Sequence, residues 1–339
     1  MLHRHAEYFV SMAEAAGADF GRAAQEPSFR VLETEHDNLR AALGWTIGRH
    51  QAEPALRLAG ALWQFWMSQG HHSEGRMWLR RAMAVEPAGS TRARVKALWG
   101  TAWLAYHQGH YDEMEELSEE LLPLARTQSE PIDLRNALTV QGMVAMARGR
   151  YAEALAPLRE ALDICRRLGP SWLLATSLLN LGMASLHVGE TGSASKLLAE
   201  ARAQYDLLGD RHFSARAIQQ SGHLALVLGT TPQPSPSSSP ASACTETSAT
   251  CGAWPRACRV CAHATRPMAW SNGPPASPNT EAIRERLATR PLPFDRDLTD
   301  RYLAQARTAV DHDMWRAATA KGRAMPLDQA IEYCLMPPD

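Results

Sequence analysis

The residues best suited to metal chemistry in this 339-residue chain are Cys251, Cys258, Cys261 and His263. Their Cys-x-x-Cys-x-His arrangement offers thiolates and an imidazole of the kind that hold zinc tetrahedrally, and Cys244 could replace one of them. A second well-formed ligand pair is missing, so no metal is expected there. Glu33, Glu35, His36 and Asp37 set carboxylates beside a histidine, next to Leu32 and Leu39, and read as a solvated helix face. Asp112, Glu113, Glu115, Glu116, Glu119 and Glu120 form an acidic run that reads the same way, with contact to a basic partner as the alternative. His71 and His72, like His3 and His5, lack further ligands at helical spacing. Nowhere do a nucleophile, a base and an orienting group stand in the arrangement that hydrolysis needs. The expectation is a non-enzymatic protein: no catalytic residue, no cofactor and no metal.

The elements that carry these residues are set by a glycine register. Gly109, Gly149, Gly189 and Gly229 recur every 40 residues, which marks a stack of like supersecondary units rather than one globular core. Seven residues before each glycine stands a small residue, Ala102, Gly142, Gly182 or Gly222, as close helix approach would require. After it come Ala154, Leu158 and Ala161 in one copy and Ala194, Leu198 and Ala201 in the next, on one helical face. A weaker copy surrounds Gly70, with Gly75, Leu79 and Ala82. Leu168-Gly169 and Leu208-Gly209 close their copies with a glycine suited to a helix C-cap. The unit is helix, glycine turn, helix, glycine stop. Upstream, an amphipathic helix is predicted from Arg4 to about Ala16 and a second from about Phe29 to Gly48.

Gly149-Arg150-Tyr151-Ala152-Glu153-Ala154 with Leu158 and Ala161 resembles the tetratricopeptide repeat, although the period exceeds the usual ~34 residues. The fold expected is all-α, a tetratricopeptide-like αα-hairpin solenoid with repeats of about 40 residues, interrupted by a disordered segment. Leu32-Glu33-Thr34-Glu35-His36-Asp37-Asn38-Leu39-Arg40-Ala41-Ala42-Leu43 resembles the segment that introduces the repeats in large bacterial signal-transduction ATPase (LuxR/AfsR-like) transcriptional regulators. Leu56 to Trp66, Gly70-His71 and Glu74-Gly75-Arg76 are similar to that family's first repeat. Trp315, Gly322-Arg323-Ala324-Met325 and Ala330-Ile331-Glu332-Tyr333 resemble its closing helices. The resemblance implies a sensory or partner-binding module of a transcriptional regulator. A free-standing scaffold or adaptor is the alternative. Neither a phosphate-cradling Gly-x-x-x-x-Gly-Lys-Ser/Thr loop nor a helix-turn-helix with a basic recognition helix is recognisable. The chain therefore reads as a fragment, a truncated gene product or a stand-alone array.

Composition fits that class. A net charge of -1 supplies no field to steer nucleic acid or an anionic membrane toward the chain. No apolar run approaches the roughly 20 residues of a membrane span, and the cytoplasm is the expected location. The organisation expected is lead-in helices over 1–48, the repeat array over 49–228, a Pro/Ser/Cys-rich disordered segment over 229–278 and C-terminal helices over 279–339. The third of these holds nine of the 21 prolines and four of the six cysteines, and no Leu, Ile, Phe or Tyr. It reads as a repeat translated out of frame. Met268 is always ATG and an alanine codon begins GC, so the shifted codon at 269 is a glycine, 40 residues after Gly229. An insertion evolved as a linker is the competing reading, and the coding DNA decides between them.

In tetratricopeptide-like stacks the first helix of each pair lines a concave groove. By that register the groove comprises Arg57, Gln64 and Met67, then Trp99, Trp103 and Tyr106, then Thr139, Met143 and Met146, and finally Arg216, Gln219 and His223. Aromatics beside methionines suit an apolar peptide or helix. The expected partner is a protein or peptide, or a small effector, with no direct binding of nucleic acid or membrane. The alternative reading makes Trp99 and Trp103 packing residues.

Overall fold

Left-handed glycines organise the architecture. The computed structural model describes residues 2–18, 25–85, 91–228 and 313. The expected segment over 229–278, with Cys244, Cys251, Cys258, Cys261 and His263, and the helices expected within 279–339 lie outside the described residues. The chain divides into two compact units, Met1–Ser177 and Leu178–Asp339. The first holds α1 (Leu2–Ala18), α2 (Gln25–Thr34) and α3 (His36–Gly48). Three hairpins follow: α4 (Ala52–Gln69) with α5 (His72–Met83), α6 (Thr91–His107) with α7 (Tyr111–Arg126), and α8 (Pro131–Ala147) with α9 (Tyr151–Leu168). Helix α10 (Trp172–His187) runs across the division, and α11 (Thr191–Leu207) and α12 (Arg211–Val227) pack together in the second unit. The described residues form helices and no strands.

Gly70, Gly109, Gly149 and Gly189 take φ of 80°, 77°, 73° and 84°. Such a residue after a helix lets the next amide reach back five carbonyls, the 6→1 bond of a Schellman turn. The bond repeats at the same spacing: His110 N donates to Ala105 O (2.9 Å), Arg150 N to Ala145 O (2.8 Å) and Glu190 N to Ser185 O (2.9 Å). The chain reverses there, and the second helix lies back on the first. Gly142 shows how close that approach is: a Cβ built on it would stand 2.5 Å from Leu158 Cγ. In the second unit, a Cβ on Gly182 would stand 2.9 Å from Leu198 Cδ2. In these two hairpins the glycine seven residues before the turn receives the leucine of the second helix. Ala154, Leu158 and Ala161, and Ala194, Leu198 and Ala201, are all buried, as the register requires.

The lead-in helices close the start of the first unit. Phe9, Leu32, Leu39, Leu56, Phe65 and Trp66 share one core, with α1 lying on α4 and α3. The helix expected over 29–48 is in fact two, broken at Glu35. Thr34 Oγ1 donates back to Arg30 O (3.0 Å), a bond that bends helices, and His36 starts a new helix. The break turns Glu33 and His36 toward the first hairpin.

Candidate functional site

Helix α6 repeats an aromatic every four residues, so Trp99, Trp103 and His107 form one stripe. Gly100 sets its depth: a Cβ there would lie 2.7 Å from Trp63 Cβ, so only glycine lets α4 and α6 close this far. The Trp63 and Trp99 rings then meet edge to face with centroids 4.7 Å apart, and Trp103 meets Tyr106 the same way at 5.4 Å. Met67, Trp99 and Trp103 are half-buried and pack on the core of the first unit. The indole N–H groups of Trp99 and Trp103 find no hydrogen-bond acceptor among the described residues. Arg57 is exposed and donates two hydrogen bonds to Glu14 of α1, at 2.7 and 2.8 Å. Burial pushes the Lys96 ammonium below its usual pKa, against the pull of Glu14. The surface is apolar along α6 and charged beside Arg57.

The other expected groove residues divide differently. Gln64, Tyr106, Thr139, Met143, Met146 and His223 are buried, Met143 to 1 % exposure, and are interior residues rather than ligand surface. Helix α8 explains three of them: 13 of its 17 residues are buried, so it has almost no free face to give a groove. Thr139 spends its hydroxyl on Arg135 O at 2.9 Å. Arg216 and Gln219, on α12, are half-buried. Sequence reasoning also passed over Arg135, whose buried guanidinium donates to Ser177 Oγ (3.0 Å) and Leu173 O (3.0 Å). Nothing in the local pattern of α8 separates it from a surface arginine.

The acidic run of α7 is largely spoken for within the chain. Glu113 pairs with Arg76 and accepts from Arg80 Nε at 2.8 Å. Glu115 accepts from Arg148 Nε at 2.9 Å and pairs with Arg150, while Asp112 pairs with Arg148. Glu120 accepts from Arg94 Nε at 2.6 Å. Asp112, Glu116, Glu119 and Glu120 are exposed, as expected of the run, whereas Glu113 and Glu115 are half-buried; the arginines that pair with the run come from α5, from α6 and from the turn between α8 and α9.

Glu33, His36 and His71 come together although they lie on three elements, with donor atoms all within 4.8 Å of one another. His36 is buried to 8 % exposure, not solvated as its neighbours suggest. Its ring stands edge-on to Phe65 with centroids 5.3 Å apart and lies 4.8 Å from the His71 ring. Burial pushes the His36 imidazole below its usual pKa, opposed by Glu74. Two hydrogen bonds from Arg40, at 2.6 and 2.7 Å, hold the Glu74 carboxyl down to about 2. His71 Nε2 stands 3.4 Å from Glu33 Oε2.

Helical hairpins at a 40-residue period, with glycine turns, define a tetratricopeptide-like αα-hairpin repeat fold. Residues 133–206 match the family model described as tetratricopeptide repeat. An HTH-type transcriptional regulator of Mycobacterium tuberculosis is 30 % identical over 220 residues, which cover 62 % of this chain and 24 % of the regulator. The regulatory protein AfsR of Streptomyces griseus is 29 % identical over 123 residues, 36 % of this chain and 13 % of AfsR. The chain carries tetratricopeptide repeats over 133–206 and is similar to part of such regulators, spanning about a quarter of the length of the first. A crystal structure of a Rap protein complexed with Competence and Sporulation Factor superposes with a TM-score of 0.52 at 12 % identity, over 98 % of this chain and 99 % of that one. That likeness is one of fold. None of the described helices is long and apolar enough to cross a membrane.

Proposed function

We propose that this chain is the non-catalytic, partner-binding repeat module of a bacterial transcriptional regulator, and that it captures an apolar peptide segment or helix along α4 and α6. The carrying observation is the Met67, Trp99 and Trp103 strip. Its rings are fixed by Gly100 and Trp63, they retain exposed surface, and two indole donors have no acceptor among the described residues. Rigid aromatics that keep part of their ring surface exposed are what anchors of a protein interface look like. Similarity to regulators supports the biological setting. The Rap protein, of the same fold, was captured with a bound factor, which supports ligand capture as a use of such helices. Arg57, on α4, belongs to the proposal as a polar contact.

The test is selection of peptides from a displayed random library on the full chain. Selected peptides are expected to carry apolar or aromatic anchors and to lose about 30-fold in affinity, the ~2 kcal/mol of an interface anchor, on Trp99→Ala or Trp103→Ala. The exposed Gln141→Ala change on α8 serves as control. Peptides that bind all three variants alike would place the binding surface elsewhere.

A further inference from the structure

We propose that Glu33, His36 and His71 bind a divalent transition-metal ion of the zinc class, which ties the lead-in helices to the first hairpin. Two observations carry this independently of the peptide surface. The first is geometric. Three donor groups of the types that bind zinc converge from the end of α2, the start of α3 and the residue capping α5, with donor atoms all within 4.8 Å. Metal bonds of about 2.0–2.2 Å place ligand atoms roughly 3.3–3.6 Å apart around a tetrahedral ion. The 3.4 Å separation of His71 Nε2 and Glu33 Oε2 already fits. The widest spacing closes with a side-chain rotation of about an ångström.

The second observation is one unsatisfied buried nitrogen. His36 is more than nine-tenths buried, yet its Nε2 makes no hydrogen bond and stands 3.4 Å from Glu74 Oε1. A buried polar nitrogen left in this state costs stability unless something satisfies it. His71 occupies the N-cap position of α5 but makes no capping bond, so its ring is free of the usual duty of that position. Phe65 walls the site with an apolar ring, 5.3 Å from His36 and 5.9 Å from His71. Glu74 adds a second carboxylate at the edge, fixed by Arg40 and by Trp78 Nε1, which donates to it at 3.2 Å. Two imidazoles with a carboxylate select a borderline first-row ion over magnesium or calcium, which prefer all-oxygen sites. A bound ion would clamp the break at Glu35 and so set the angle at which α1–α3 meet the repeats.

The experiment uses the untagged full chain freed of metal and titrated with Zn2+ and with Co2+. A Cys258→Ser/Cys261→Ser chain runs in parallel to remove the other zinc-like motif. One equivalent of Zn2+ is expected in both chains, with the visible absorption of nitrogen- and oxygen-ligated Co2+ and a raised melting temperature. His71→Ala and Glu33→Gln alter partly exposed side chains and are expected to keep the helical circular dichroism. Each should weaken Zn2+ binding by more than the about 10–100-fold that changes to outer partners cost. Unchanged binding in both variants would overturn the site, as would loss of all binding in the Cys258→Ser/Cys261→Ser chain, or failure of Zn2+ to bind in preference to Mg2+.

Discussion

At the scale of single residues, the turn side of each hairpin was legible and the solvent side was not. A glycine seven residues before a turn glycine, with a leucine sixteen residues on, is a spacing anyone can count. Its meaning is steric, since Gly142 and Leu158 share one space. At the equivalent positions of the preceding hairpin stand Ala102 and Ser118, a larger residue with a smaller one. Gly142→Ala should therefore cost about 1–3 kcal/mol by overpacking, and Leu158→Ala about 2–5 kcal/mol by cavity formation. The double variant should cost clearly less than their sum, because the new methyl fills part of the cavity. Urea unfolding of the four chains checks this; strict additivity would show that the two residues do not share a space. His36 makes the opposite point. Its neighbours are polar and its local pattern is that of a surface, yet Phe65 and His71, 29 and 35 residues on, enclose it. Long-range enclosure leaves no mark on local spacing.

At the scale of elements, helix existence followed from periodicity and helix ends from glycine. What periodicity did not reveal was how many faces each helix buries. Helix α8 is covered almost all round, so placing Thr139, Met143 and Met146 in a groove followed a register that identifies a face but not what lies against it. Charge pairing between elements was hidden for the same reason. The acids of α7 read as a solvated run, but Asp112, Glu113 and Glu115 meet arginines of other hairpins: Arg76 and Arg80 lie on α5, and Arg148 and Arg150 lie at the turn between α8 and α9. Exposed pairs contribute little, whereas Glu113, largely buried between two guanidinium groups, is a hydrogen-bonded charge. Glu113→Gln is expected to lower stability by about 1.5–3 kcal/mol, and the exposed Glu116→Gln by less than about 0.5 kcal/mol. Thermal or urea unfolding distinguishes them, and equal effects would deny Glu113 its role in joining successive hairpins.

At the scale of the molecule, a 40-residue period identified the class of fold, and the family match over 133–206 and the similarity to regulators agree with it. The candidate binding strip was legible in part, because Met67, Trp99 and Trp103 fall on the predicted helix faces while Trp63 and Gly100, which hold them, are recognised only once α4 and α6 are packed. The Glu33, His36 and His71 cluster was not legible at all, since its three residues come from separate elements. The central claim is that α4 and α6 form the capture surface. Hydrogen–deuterium exchange of the full chain, free and saturated with a selected peptide, tests it most directly. Slowed exchange in Ala52–Gln69 and Thr91–His107, absent when Trp99→Ala and Trp103→Ala are combined, is the predicted result; protection confined to other helices would contradict it.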